Sequence, residues 1–339
     1  MLIYSIIGAL IGAGFASGQE MYLFFYRFGR LGISGLAICS MLMGLIIYKT
    51  FSIITRKKIN NYHEFLNTIF YSKGKSPKNK YLNLSYISNI IVNIFLLMTF
   101  YIMISGFGAY FEQQFNLNSI IGASVLAILC YFILIKDIKG VTKANSIIVP
   151  TLIIIIILIG IKNVGNINVT NISNELNYGW IYYAIIYCSY NMILVIPILV
   201  NLSKFIKNRK HIIVTAIISG LIMFVLGLII YLLLSTINTD ISKIEMPAVY
   251  AISSSFPEFK WIYGIVILLS IFSTAISVGI SFLKNVVTDK RNYPQFVGIM
   301  CISGVLISNI GFSNLVKILF PVFGYLGLLQ IFTIIIKKT

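Results

Sequence analysis

"IGAGFASGQE", residues 11–20, decides how this chain is read. An apolar run that starts at Leu2 and ends near Phe28 is interrupted here by three glycines and a serine, then at once by an amide and a carboxylate. Glycine in a helix interior costs about 1 kcal/mol relative to alanine. Gly12, Gly14 and Gly18 together predict a place where a helix stops and restarts. A helix interrupted inside hydrocarbon leaves backbone N–H and C=O groups without partners, which is tolerated only where they are buried in protein or line a polar cavity. Carbonyls up to Ile11 would then face a cation, and amides from Ala16 onward an anionic group. The competing reading is helix packing, because Gly8 with Gly12 and Gly14 with Gly18 are both GxxxG pairs. Gly12 and Gly14, two residues apart, point about 200° from one another, so one packing stripe does not use both pairs.

The composition sets the class. Of 339 residues, 58% are hydrophobic and 10% charged, with a mean hydropathy of +0.94, whereas soluble domains carry about 25% charged residues. This is the composition of an integral membrane protein. Hydropathy and turn signals predict ten spans, near 2–26, 31–54, 82–111, 118–136, 141–161, 178–202, 211–236, 259–285, 293–310 and 312–336. A split after residue 177 puts five spans in residues 1–177 and five in 178–339, and an odd number per half inverts the second half in the membrane. The first span of each half carries an interruption: the glycines in the first, and "YCSYN", Tyr187 to Asn191, in the sixth. The fold expected is all-α, with a five-plus-five inverted repeat and broken helices 1 and 6.

The net charge of +17 reports topology and does not point to nucleic acid. Loops after the even-numbered spans and the C-terminal tail hold Arg56, Lys57, Lys58, Lys73, Lys75, Lys78, Lys80, Lys136, Lys139, Lys143, Lys204, Lys207, Arg209, Lys210, Lys284, Lys290, Arg291, Lys337 and Lys338. The other loops hold only Arg27, Arg30, Lys162, Lys243 and Lys260. By the positive-inside rule both termini are expected in the cytoplasm, with the basic loops against anionic headgroups. Residues 1–10 lack the basic start of a cleavable signal peptide, so the first span is expected to stay. Cys39, Cys130, Cys188 and Cys301 stand singly in apolar segments and read as small core residues. His63 and His211 lie in loops, and no metal, nucleophile or phosphate-loop motif is evident, so an enzyme is not expected. Two loops are long enough to carry structure. Residues 55–81 contain an amphipathic stretch (Tyr62, Phe65, Leu66, Ile69, Phe70) suited to lying on the inner membrane face. Residues 237–258 contain a short helical pattern opened by Pro247 and closed by Pro257.

"GAGFASGQE" together with "YCSYN" resembles the YkvI family of bacterial membrane proteins, a divergent branch of the amino acid–polyamine–organocation transporter superfamily. The resemblance implies a bacterial plasma membrane protein with the inverted-repeat fold typified by the leucine transporter. It also implies a sodium site between carbonyls before the break in helix 1 and hydroxyls of helix 8. Here that set would be Gly8, Ile11, Ser270, Ser273 and Thr274, with Na+ as coupling ion and no other cofactor. The alternative is that the hydroxyls bond their own i−4 carbonyls. The resemblance also implies that some relatives replace this ion with a lysine on helix 5; the nearest candidate here, Lys143, falls at the cytoplasmic mouth of the fifth span, which favours sodium over protons.

Substrate contacts are expected from the backbone amides of Ala16, Ser17 and Gly18 and from the facing wall of Tyr187, Ser189, Tyr190 and Asn191. Tyr101 and Ser105, mid-depth on the third span, and Ser277, one turn past the hydroxyl pair, complete the set. Glu20 is the one carboxylate placed within the apolar cores of the first eight spans, and an intramembrane carboxylate is a functional candidate by default. It could meet a substrate ammonium, carry a coupling proton or tie helix 1 to a neighbour. Lys49 and Lys317, in or near spans, are expected to snorkel. The function expected is sodium-coupled secondary transport of a small organic solute, most plausibly an amino acid, by alternating access. The alternative is a nutrient sensor on the same fold, like a germinant-receptor subunit, which binds its ligand without moving it. The oligomeric state is left open.

Overall fold

The computed structural model describes residues 2–71, 84–135, 141–163 (backbone alone over 141–149), 172, 178–287, 289 and 291–337. Among them all regular structure is helical. The first apolar run is three short pieces, α1 (Leu2–Leu10), α2 (Ala13–Ala16) and α3 (Gln19–Phe24). After a 3-10 turn at Tyr26–Phe28 comes α4 (Arg30–Lys57), then the short α5 (Tyr62–Phe70). There follow α6 (Leu84–Phe115), α7 (Ser119–Ile135), α8 (Val141–Asn163) and α9 (Gly179–Leu202). The chain continues through α10 (Arg209–Leu234), α11 (Pro247–Ser255), α12 (Lys260–Val286), α13 (Tyr293–Ser308) and α14 (Phe312–Ile336).

This corrects the ten-span expectation. Among the described residues six helices are long and apolar enough to cross a membrane: α4, α6, α9, α10, α12 and α14. Hydropathy counts apolar residues, but a crossing needs continuous helix of about 20 residues to cover about 30 Å. α7 and α13 have 17 and 16 residues, and the fully described part of α8 runs from Pro150. The seventeen-residue α7 reaches only about 25 Å at 1.5 Å per residue. The first run is in pieces. The five-plus-five inverted repeat also falls, because it rested on matched breaks in two helices. α9 runs without interruption through Tyr187–Asn191, so the second break is absent. The proposed boundary after residue 177 lies outside the described residues, as do Lys73, Lys75, Lys78, Lys80, Lys136, Lys139, Lys290, Lys338 and the Lys143 side chain.

What remains is a multi-pass membrane bundle. α4 packs along α10 and α9, α9 along α14, and α6 against α7, α12 and α13. Large apolar side chains such as Met41, Ile217, Leu306 and Phe332 point outward. An exposed apolar surface of this extent suits lipid and not water. All four cysteines are buried. α5 sets Phe65, Leu66 and Ile69 into the protein against α6, α9 and α14. Tyr62 at its start accepts a hydrogen bond from Gln330 Nε2 at 3.2 Å. Its apolar face is therefore spent on the bundle and does not lie flat on the membrane. α11 starts at Pro247 and is followed by Pro257, as the two prolines predict.

Candidate functional site

The interruption in residues 11–18 organises the site. The last α1-type bond runs from Ile11 N–H to the Ile7 carbonyl at 2.8 Å, and Gly12 then turns extended (φ −86°, ψ −176°). α2 makes a single turn before Gly18, whose φ of +80° is a left-handed conformation that glycine adopts without a Cβ penalty. A side chain there would also meet the Ala248 backbone nitrogen at 2.8 Å, so α11 is seated directly against the restart.

Two carbonyls of the break are satisfied from outside the stretch. Ala248 N–H donates to the Ser17 carbonyl at 2.8 Å, and the Tyr263 hydroxyl on α12 donates to the Ala16 carbonyl. The Ser17 hydroxyl donates back to the Gly14 carbonyl at 3.0 Å and accepts from Gln19 N–H at 3.3 Å. The amides of Ala16, Ser17 and Gly18 are taken up within α2, by the carbonyls of Gly12, Ala13 and Phe15 at 2.8–3.0 Å. The expectation that these amides face a solute is corrected: the single turn of α2 consumes them.

Glu20 is 4% exposed and reaches back over Gly14. A Cβ on Gly14 would fall inside the Glu20 carboxyl group, 2.9 Å from its Cγ. Gly14 therefore does not itself break the helix; its missing side chain makes room for the carboxylate. Tyr187 Oη donates to Glu20 Oε2 at 3.0 Å. The Tyr190 hydroxyl sits near the same carboxylate but makes no hydrogen bond of good geometry. Around the carboxylate, Phe24 and Phe25 meet the Tyr187 ring edge-on at 5.1 and 4.9 Å. Tyr190 stacks on Phe320 at 4.6 Å. Among the described residues, neither of the two ion pairs involves Glu20. Next to it, Gln19 Nε2 donates to the Ser313 hydroxyl at 2.5 Å, while its Oε1 is buried without a partner.

The other predicted residues are elsewhere engaged. Ser189 donates to the Gly324 carbonyl at 2.6 Å, which ties α9 to α14. Asn191 Nδ2 donates to the Tyr187 carbonyl at 3.0 Å. Both side chains are satisfied without breaking the helix, which is why polar "YCSYN" is no interruption. Tyr101 and Ser105 bond α13, through the Ser303 hydroxyl at 2.8 Å and the Ser308 carbonyl at 3.4 Å. Ser277 back-bonds to the Ser273 carbonyl at 2.8 Å. Of the predicted sodium set, Gly8 lies on α1, which packs on α8, α9 and α10, and Ser270, Ser273 and Thr274 lie on α12, which packs on α8 and α2. The sodium symport reading came with the inverted-repeat fold that the resemblance implies and is withdrawn with that fold.

Sequence reasoning missed the seat of α11 on the restart at Gly18, the aromatic lining from Phe24 and Phe25, and the Tyr263 bond to the Ala16 carbonyl. A second polar cluster lies beside α11. Glu245 Oε2 accepts from Ser313 N–H at 2.6 Å at the start of α14. Burial pushes its carboxyl above the ordinary value, and the Ser313 amide opposes that shift. Gln113 clasps the residue before α11 through Met246 N–H and C=O at 3.0 and 3.1 Å. Lys317, expected to snorkel, donates to the Ser242 carbonyl at 3.1 Å.

No family model matches the chain. It is similar to the uncharacterized membrane protein YkvI of Bacillus subtilis strain 168, at 26% identity over 347 residues, covering 99% of this chain and 95% of that protein. It is also similar to the uncharacterized protein YyaD of the same strain, at 26% identity over 328 residues, covering 95% and 92%. The link is one of distant kinship. It carries no function, so the chemistry rests on Glu20 and its surroundings.

Proposed function

We propose that the protein moves a small organic solute across the membrane, with an amino acid as the foremost candidate and Glu20 at the point of contact. The supporting observation is the Glu20 carboxylate itself, enclosed at the interruption of a membrane-embedded run. It has one hydrogen bond from Tyr187 and no ion-pair partner among the described residues. A buried charge without a partner is strongly unfavourable, and ionisable residues kept inside membranes mark substrate or ion pathways. The ammonium group of the solute supplies the missing partner. The Tyr190 hydroxyl and Gln19 Oε1, buried and unpartnered, are further polar groups for which a bound solute gives a reason. α11, bonded to the restart through Ala248, closes the site on one side and has to move for exchange. In this reading the protein lies in the plasma membrane of a bacterial cell, with the basic ends of α4, α10 and α12 (Arg56, Arg209 and Lys284) toward the cytoplasm.

Purified chain in proteoliposomes, preloaded with unlabelled amino acid and given the labelled one outside, tests the proposal by counterflow. We expect uptake of at least one amino acid, reduced about tenfold or more in Glu20→Gln, which corresponds to about 1.4 kcal/mol or more. If an amino acid binds the purified protein and is never exchanged across the bilayer, the protein is a sensor and the transport reading fails.

A further inference from the structure

Away from the break, the membrane face between α4 and α10 carries a groove of about 590 Å³, lined by residues of these two helices alone. Its floor lies where the backbones approach. A Cβ on Gly44 would stand 3.2 Å from the Ala216 carbonyl, and one on Gly220 2.9 Å from the Ser40 carbonyl. These pairings make the helices antiparallel, so Ala37 lies toward Leu221 and Phe224, and Tyr48 toward Ile213. The walls include Met41 and Ile217, which are 74% and 64% exposed. The Ser40 hydroxyl on the floor is spent on the Leu36 carbonyl at 2.8 Å, so the floor is effectively apolar.

The two ends differ. At one, the Tyr48 hydroxyl accepts a hydrogen bond from the Arg209 guanidinium at 3.3 Å. Exposed Lys207 and Lys210 flank Arg209, and α4 ends nearby in exposed Arg56 and Lys57. From Ala37 to Tyr48 the groove runs eleven residues, about 17 Å of helix. That is roughly half of the ~30 Å hydrocarbon layer, the depth of one leaflet.

We propose that this groove seats one acyl chain of an anionic glycerophospholipid, with its phosphate at the Arg209–Tyr48 pair. Depth and charge select this occupant. A second copy of the chain, held in the same membrane orientation, would bring its own basic cluster to the same end and be repelled.

Native mass spectrometry of the full chain in detergent, with phosphatidylglycerol or phosphatidylcholine added at equal concentration, reads the site directly. Phosphatidylglycerol is expected to stay bound, one per chain, at concentrations where phosphatidylcholine does not. Arg209→Gln, at an exposed position, is expected to weaken that binding about fivefold, the effect of one interfacial cation worth about 1 kcal/mol. Ala37→Trp, which fills the far end, is expected to remove it while leaving circular dichroism unchanged. Inorganic phosphate in excess should not displace the lipid, because the chain supplies much of the binding. Equal retention of the two lipids, displacement by phosphate, unchanged binding in both variants, or a dimer cross-linked through position 217 in place of lipid would overturn the proposal.

Discussion

The Glu20 carboxyl group rests on the bare Cα of Gly14, in the space that any side chain at position 14 would fill. The neighbour that would be displaced is the far end of a flexible side chain, so Gly14→Ala is expected to cost little in folding. What it should take away is the Tyr187 hydrogen bond to Glu20. Uptake is expected to fall as far as in Glu20→Gln, while the unfolding temperature of the detergent-solubilised protein shifts by only a few degrees. Combined with Tyr187→Phe, the loss should be clearly less than the product of the two single losses, as residues acting through one contact are not additive.

Gly18 is a different case. Its φ of +80° and the Ala248 nitrogen 2.8 Å from any Cβ both oppose a side chain, and the obstacle is backbone. Gly18→Ala should destabilise the protein by about 1–3 kcal/mol, the usual cost of a strained left-handed residue. Thermal unfolding of the variant, monitored by cysteine-reactive dye on the buried thiols, measures this; an unchanged midpoint would mean that α11 does not sit on the restart.

Tyr263→Phe removes the donor to the Ala16 carbonyl and leaves a buried acceptor open. A cost of about 1–3 kcal/mol is expected for such a group. Ser277→Ala on the same helix loses only a local i−4 bond and serves as the near-neutral comparison in the same unfolding assay.

The interruption of the first run was legible because glycine states a backbone preference directly: Gly12 and Gly18 are where helical hydrogen bonding stops and restarts. The role of Gly14 was not legible, since it depends on a carboxylate folding back six residues later. "YCSYN" misled for the opposite reason. Polar side chains say nothing about the backbone when each can bond a carbonyl, as Ser189 does with Gly324 and Asn191 with Tyr187. The span count failed because apolar content does not fix helix length, as α7 and α13 illustrate. Glu20 and Tyr187 were both identified, but that they meet each other is a property of packing between α3 and α9 that no local pattern announces.

Hydrogen exchange separates the two stretches once expected to be alike. Amides of Tyr187–Asn191, inside continuous α9, should be protected at least about a hundredfold more than those of Ala13 and Gly14, which lie in the first turn of α2, because exchange follows local opening. Similar protection in both stretches would restore the second break.

The bond from Ala248 N–H to the Ser17 carbonyl has a consequence for how the protein is made. During synthesis the N-terminal run leaves the ribosome long before residues 248 and 263 do, so the Ser17 and Ala16 carbonyls enter the membrane with neither of their final partners. Until α11 and α12 arrive, this segment is an incomplete helix in search of water or a chaperoning surface. The insertion machinery has to hold it for most of translation, and chains truncated before α11 should be the ones that quality-control proteases remove first.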